Sequence, residues 1–149
     1  MSKPKFVYVT YIKTTPEKLW AALTDPKITK SYWFGADLES DWKAGSPWRI
    51  VRASGEVADS GVILESDPPR RLVIDKWQNQ FMPEAKAAGP SRCTMEIEPQ
   101  PGGAVKLTVT HVSEGDDDRL IKAVSGGWPR ILSNLKSLLE TGEVALKDK

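Results

Sequence analysis

Residues 124–133 read VSGGWPRILS and sit inside the longest helical pattern in the chain. Two adjacent glycines and a proline are what a helix interior tolerates least, so the stretch is either a gap between two helices or one helix carried through a disturbance. Phase chooses between them. At about 100° per residue, Leu120, Ile121, Val124, Trp128, Ile131, Leu132, Leu135, Leu138 and Leu139 fall within an arc of roughly 120°, which a real break would have scrambled. One helix is therefore predicted from Asp117 to Thr141, about 37 Å long. Asp116, Asp117 and Asp118 offer an N-cap and negative charge at the positive end of the helix dipole, and Gly142 follows the last apolar turn as a C-cap. Pro129 removes the donor to the Ser125 carbonyl and Gly126 and Gly127 loosen the backbone, a cost on the order of 5 kcal/mol. Two compatible reasons would offset it. A kink would let the helix follow a twisted sheet, with close backbone approach at Gly127, or the glycines would leave space beside Trp128 for a ligand.

Upstream of this helix the period changes from 3.6 to 2. FVYVTYI reads as a first strand over residues 5–13, and a helix follows, capped by Thr15 with Pro16 at its first position or by a Thr14–Glu17 capping box, with Leu19, Trp20 and Leu23 on its apolar face. Asp25-Pro26 ends that helix and starts a second, which reaches Tyr32. Short alternating runs between turn residues then predict six antiparallel strands near 36–41, 47–52, 56–66, 70–77, 91–98 and 104–112. In the last of these, Val105, Leu107, Val109 and His111 share one face. Residues 78–90 have no sustained period and read as a long loop, where Phe81 and Met82 find no obvious core and offer a contact for a homodimer. A sheet and a helix with one apolar face each are both buried only if the helix lies across the sheet, so the fold class is α+β.

Composition narrows the function classes. The 149 residues fit one domain over 1–149, and 21 basic against 20 acidic residues leave a net charge of +1 with no basic cluster beyond Arg70-Arg71, so neither nucleic acid nor membrane insertion is expected. Without a long apolar run or a signal-peptide pattern, a cytoplasmic protein is expected. Cys93 alternates with polar neighbours in RCTMEIE and reads as a small buried hydrophobe. One cysteine and one histidine argue against a zinc site or a multi-histidine centre; no metal and no cofactor are expected.

Five pieces, TPEKLWAALTDP (15–26), YWFG (32–35), SDWKAGSPW (40–48), ESDPPRRLV (65–73) and SGGWPRILSNLKSLLETGE (125–143), carry a resemblance across nearly the whole chain. The sequence resembles the bacterial SRPBCC proteins of the START-like superfamily, nearest the group similar to the C-terminal domain of the activator of heat-shock-protein-90 ATPase. The resemblance implies a helix-grip fold, in which a curved antiparallel sheet of about seven strands and a long C-terminal helix enclose a cavity. By position its walls would be Trp33, Phe34, Trp48, Trp77, His111, Trp128 and Leu132. The chain lacks the additional N-terminal domain of the chaperone activator, which turns the expectation away from a chaperone role and toward a small hydrophobic or aromatic ligand.

The residues themselves leave alternatives open. Trp20 reads as core, Trp42 as a cover for the sheet's end, and Trp77 has no clear face because LVIDKW is apolar on both. His111 reads as a satisfied core group, as a polar anchor for a ligand oxygen, or as a general acid or base lacking a second positioned group. Three functions follow: a non-enzymatic carrier of a small apolar molecule, a chaperone-regulating interaction domain linked to stress response, and a cyclase or hydrolase working through His111. On the carrier reading, His111→Ala spares the fold and weakens binding by about 1–2 kcal/mol.

Overall fold

The computed structural model describes residues 3–147. Strand β1 (Lys5–Ile12) leads into α1 (Pro16–Thr24), where Thr15 rather than Thr14 caps: its Oγ1 accepts from the Lys18 backbone N–H at 3.2 Å, with Pro16 opening the helix. Asp25 both ends α1 and caps α2 (Pro26–Tyr32) through the Lys27 N–H. The buried Tyr32 hydroxyl donates to the Ala22 carbonyl at 2.8 Å and locks the two small helices together. Strands β2 (Asp37–Ser40), β3 (Pro47–Val51), β4 (Val57–Asp67), β5 (Arg71–Asn79), β6 (Ser91–Gln100) and β7 (Ala104–Ser113) follow, and α4 (Arg119–Thr141) closes the order. All seven strands form one antiparallel sheet in the order β1-β7-β6-β5-β4-β3-β2, with α1 and α2 carrying the chain from one edge to the other. This is the α+β architecture expected, with α4 packed on the sheet's inner face, where Val105, Leu107, Val109 and His111 of β7 are fully buried.

The helix through VSGGWPRILS is continuous, with Pro129 in its interior. Leu120, Ile121, Trp128, Leu132 and Leu135 are buried from its apolar stripe, and Gly142 ends it in the left-handed region at φ 87°, which costs glycine nothing. Asn134, also buried, uses its carboxamide on the Leu146 N–H and C=O at 2.6 and 2.8 Å, which ties the C-terminal segment back to the helix.

Several expectations are corrected. The segment 78–90 is not a plain loop: β5 extends to Asn79, and a five-residue helix, α3 (Pro83–Ala87), buries Ala85. Asn79 Oδ1 accepts from the Phe81 and Met82 N–H groups at 3.0 and 2.6 Å and turns the chain into α3, a helix too short to declare a period. At the start of α4, Asp118 occupies the cap position without a side-chain cap bond. The Asp117 carboxylate instead accepts from the Arg119 N–H and guanidinium. Close backbone approach at Gly127 is absent, since a Cβ built there, as at Gly126, meets nothing within 4 Å. The crowded glycine is Gly61, where a Cβ would lie 2.9 Å from the Asp75 carbonyl oxygen and 3.4 Å from the Trp48 ring.

Candidate functional site

Between β5 and β6 the register shifts after Ile74, so that Asp75 and Lys76 together oppose one residue, and Lys76 takes a left-handed φ of 52°. Strict alternation from Leu72 and Ile74 would turn Lys76 inward; the bulge turns Trp77 inward instead. Buried Trp77 then packs at a tilt 4.4 Å from Trp48 and 4.7 Å from His111, with Trp128 of α4 at 5.9 Å and Trp33, beyond it, 5.6 Å from Trp128. Ring burial and edge-to-face contact hold this cluster.

A hydrogen-bond chain runs through the rings. Trp128 Nε1 donates to His111 Nδ1 at 3.1 Å, which leaves Nε2 as the protonated nitrogen, donating to Ser91 Oγ at 2.6 Å; Ser91 in turn donates to the Trp77 carbonyl at 3.3 Å. Trp77 Nε1 donates to Asp59 Oδ2 at 2.8 Å, and Asn79 Nδ2 reaches the same oxygen at 3.3 Å. His111 is thus neutral with both nitrogens engaged and no exposed surface, and burial pulls its pKa down from 6.5 to about 4.

Beneath Ile131 and Leu132 of α4 the space is nearly filled. There a void of about 10 Å³ is lined by Tyr32, Trp33, Trp48, Trp128, Ile131 and Leu132 among others. Trp48 Nε1 is buried there without a partner, alone in this among the side chains of the described residues. More open volume lies toward the N-terminal half of α4, where sheet and helix face each other across it. Two adjoining lobes, about 230 Å³ and about 140 Å³, share Trp33, Ile50, Asp59, Asn79, Met82, Gly127 and Ile131. The outer lobe adds Phe34, Arg52, Phe81 and Arg130; the inner one adds Trp77, Leu120, Val124 and Trp128. Phe34 stands at the rim on a left-handed φ of 53°, where α2 gives way to β2.

Of the seven residues expected to line a cavity, Trp33, Phe34, Trp77 and Trp128 border the lobes, Trp48 and Leu132 border only the small void, and His111 borders neither. Trp42, expected at the sheet's end, also reaches the void. Phe81, expected to join no core, lines the outer lobe, and Met82, of which the same was expected, lines both. Asp59, Asn79, Arg52 and Arg130 are at the cleft without having been singled out in the sequence. A signal for Asp59 was available: Asp59, Gly61 and Ile63 alternate on one face, and Asp59 pairs with Ile50 and Asn79 across the neighbouring strands. The exposed Val62 and Leu64 masked it, because they make the opposite face look like the buried one. Among the described residues no group of three or more His, Cys, Asp and Glu is placed to hold a metal ion, and no helix is long and apolar enough to cross a membrane.

No curated protein matches the chain. Its fold is similar to that of a protein from Mesorhizobium loti, at 26% identity and a TM-score of 0.74, with 91% of this chain and 96% of that one covered. It is also similar to an HSP90 activator from Plasmodium falciparum (23% identity, TM-score 0.73, 91% and 96% covered) and to the Aha1 dimer from Colwellia psychrerythraea (22%, 0.72, 93% and 97%). At these identities the likeness to the latter two concerns the fold. A family model described as activator of Hsp90 ATPase homolog 1-like protein matches residues 13–140, which take in α1 and α2, the sheet from β2 to β7 and nearly all of α4, and the chain belongs to that family.

Proposed function

We propose that this protein binds a small, largely apolar molecule, and that it does so in the two-lobed cleft between the sheet, the end of α2 and the N-terminal half of α4. The observation that supports this is an open two-lobed cleft walled by aromatic and aliphatic side chains around one buried, hydrogen-bonded carboxylate. Such a site draws affinity from buried apolar area, about 25 cal/mol per Å², and orientation from a few fixed polar groups. His111 serves by holding Trp128 and Ser91 in place. Acid–base chemistry by a residue with no exposed surface and two engaged nitrogens has no geometric support.

The neutral dye phenylnaphthylamine, which accepts excitation energy from tryptophan, tests the reading. Saturable quenching of tryptophan emission is expected in the parent protein and its loss in Gly127→Leu, whose side chain enters the space shared by both lobes, with circular dichroism checking that the variant is folded. Quenching that is absent, or equal in the two proteins, would overturn it.

A second reading, regulation of a chaperone ATPase, is favoured by the family match. It predicts that the purified protein raises the ATPase rate of a bacterial chaperone of the heat-shock-protein-90 class severalfold at micromolar concentration. A flat response across that range would remove it. A homodimer, as in the Colwellia psychrerythraea protein, belongs to the same proposal.

A further inference from the structure

The cleft has a polarity gradient that names the class of its ligand, an inference that rests on the cleft reading above. Its inner lobe is apolar and aromatic apart from Asp59 and Asn79, whereas the outer lobe is rimmed by two guanidinium groups, each near a phenylalanine face: Arg52 Cζ lies 4.0 Å from the centroid of the Phe81 ring, and Arg130 Cζ 5.9 Å from that of Phe34. At Arg52 such stacking orients the planar cation while leaving the N–H groups at its edge available.

Arg52 differs from its neighbours. Arg49, Arg70, Arg71, Arg92 and Arg119 each reach a carboxylate in the same chain. Arg52, among the described residues, has no such partner, and its guanidinium rests on an aromatic ring at the mouth of the cleft. Asp59 is the one acidic residue lining either lobe. It sits at the floor, 8% exposed, with Oδ2 already accepting from Trp77 and Asn79. Positive charge is therefore presented to an incoming molecule at the rim, and the negative charge is held within the protein's own hydrogen bonds.

We propose that the cleft takes an amphipathic organic anion, its apolar body in the inner lobe against Trp33, Trp128 and Ile131 and its acidic head at the rim on Arg52. A guanidinium pairs with an oxyanion through two parallel N–H bonds, so a carboxylate or sulfonate head fits the donor that the stacked arginine offers. Because the rim is solvated, the head adds selectivity more than affinity, and its share falls with salt.

The test compares two dyes of closely similar aromatic frame, anionic anilinonaphthalenesulfonate and neutral phenylnaphthylamine, titrated by fluorescence into the parent, Arg52→Gln and Gly127→Leu. Arg52→Gln is expected to weaken the sulfonate dye by about three- to tenfold, the size of one solvent-screened charge-assisted contact, and to move the neutral dye by less than about twofold. Decanoate is expected to displace phenylnaphthylamine at lower concentration than decyltrimethylammonium. Equal responses of the two dyes to Arg52→Gln, or the cationic amphiphile displacing better than decanoate, would overturn the anion assignment. If the neutral dye is still lost in Gly127→Leu, such a result leaves the cleft reading standing. Binding of both dyes untouched by Gly127→Leu, or of neither dye to the parent, overturns the cleft reading and this assignment with it.

Discussion

His111 titrates well below an exposed imidazole, and the sign of its effect on stability follows. With a folded value of about 4 against 6.5, the unfolded chain takes up the proton first as pH falls. Its contribution is fully present above pH 6.5 and is lost progressively toward pH 4, on the order of 3 kcal/mol in all. The urea midpoint of the parent is expected to fall across that window more steeply than that of His111→Gln, which has nothing to titrate there; parallel slopes would mean that the imidazole is not buried neutral. The carboxylates held low by basic partners, such as Glu140 beside Lys136 and the Lys13 N–H, are present in both proteins and cancel in the comparison. In the same measurement His111→Ala is expected to cost about 2–4 kcal/mol at pH 7, since it leaves a cavity and strips the Trp128 indole and the Ser91 hydroxyl of a partner. This replaces the sequence-based expectation that the fold is spared. An imidazole engaged at both nitrogens by the protein is structural.

At the scale of the element, α4 carries its two glycines without crowding. Gly126 is exposed and Gly127 half-buried, and a methyl group at either meets nothing within 4 Å. Gly126→Ala and Gly127→Ala are each expected to raise stability by up to about 1 kcal/mol through helix propensity and a less disordered unfolded chain. Gly61→Ala is expected to lower it, because the new methyl would be driven against the Asp75 carbonyl where β4 and β5 change register. Urea denaturation of the three variants checks the order, and a Gly127→Ala less stable than the parent would restore the close-contact reading of the helix. The bulge in β5 is the other decisive local event. One residue of extra length at Asp75–Lys76, with Lys76 in a left-handed conformation, moves Trp77 from the outer to the inner face and so creates both the aromatic cluster and the indole donor to Asp59.

Across the whole molecule, the core is tightly filled around Leu132, and the open space lies where α2, β3, the ends of β4 and β5, the turn into α3 and the N-terminal half of α4 converge. The chain's family, its element order apart from α3, and the side of α4 that is buried were legible in the sequence. Each rests on a period or a cap that a few neighbouring residues express by themselves: the stripe through Trp128 and Leu132, the alternation of Val105 to His111, Thr15-Pro16 before α1, and Gly142 after α4. What the tertiary structure alone decided depends on residues far apart in the chain. Trp128 and His111 are 17 positions apart, Asp59 and Trp77 18, and Ser91 and His111 20, so neither the neutral tautomer of the histidine nor the orientation of the carboxylate is written in any local pattern. The face of Trp77 was hidden because a bulge breaks the period of two on which strand reading relies. The position of the cleft was hidden for a simpler reason: whether tryptophans line a cavity or fill it is a matter of packed volume, and volume is a property of the assembled elements rather than of any one of them.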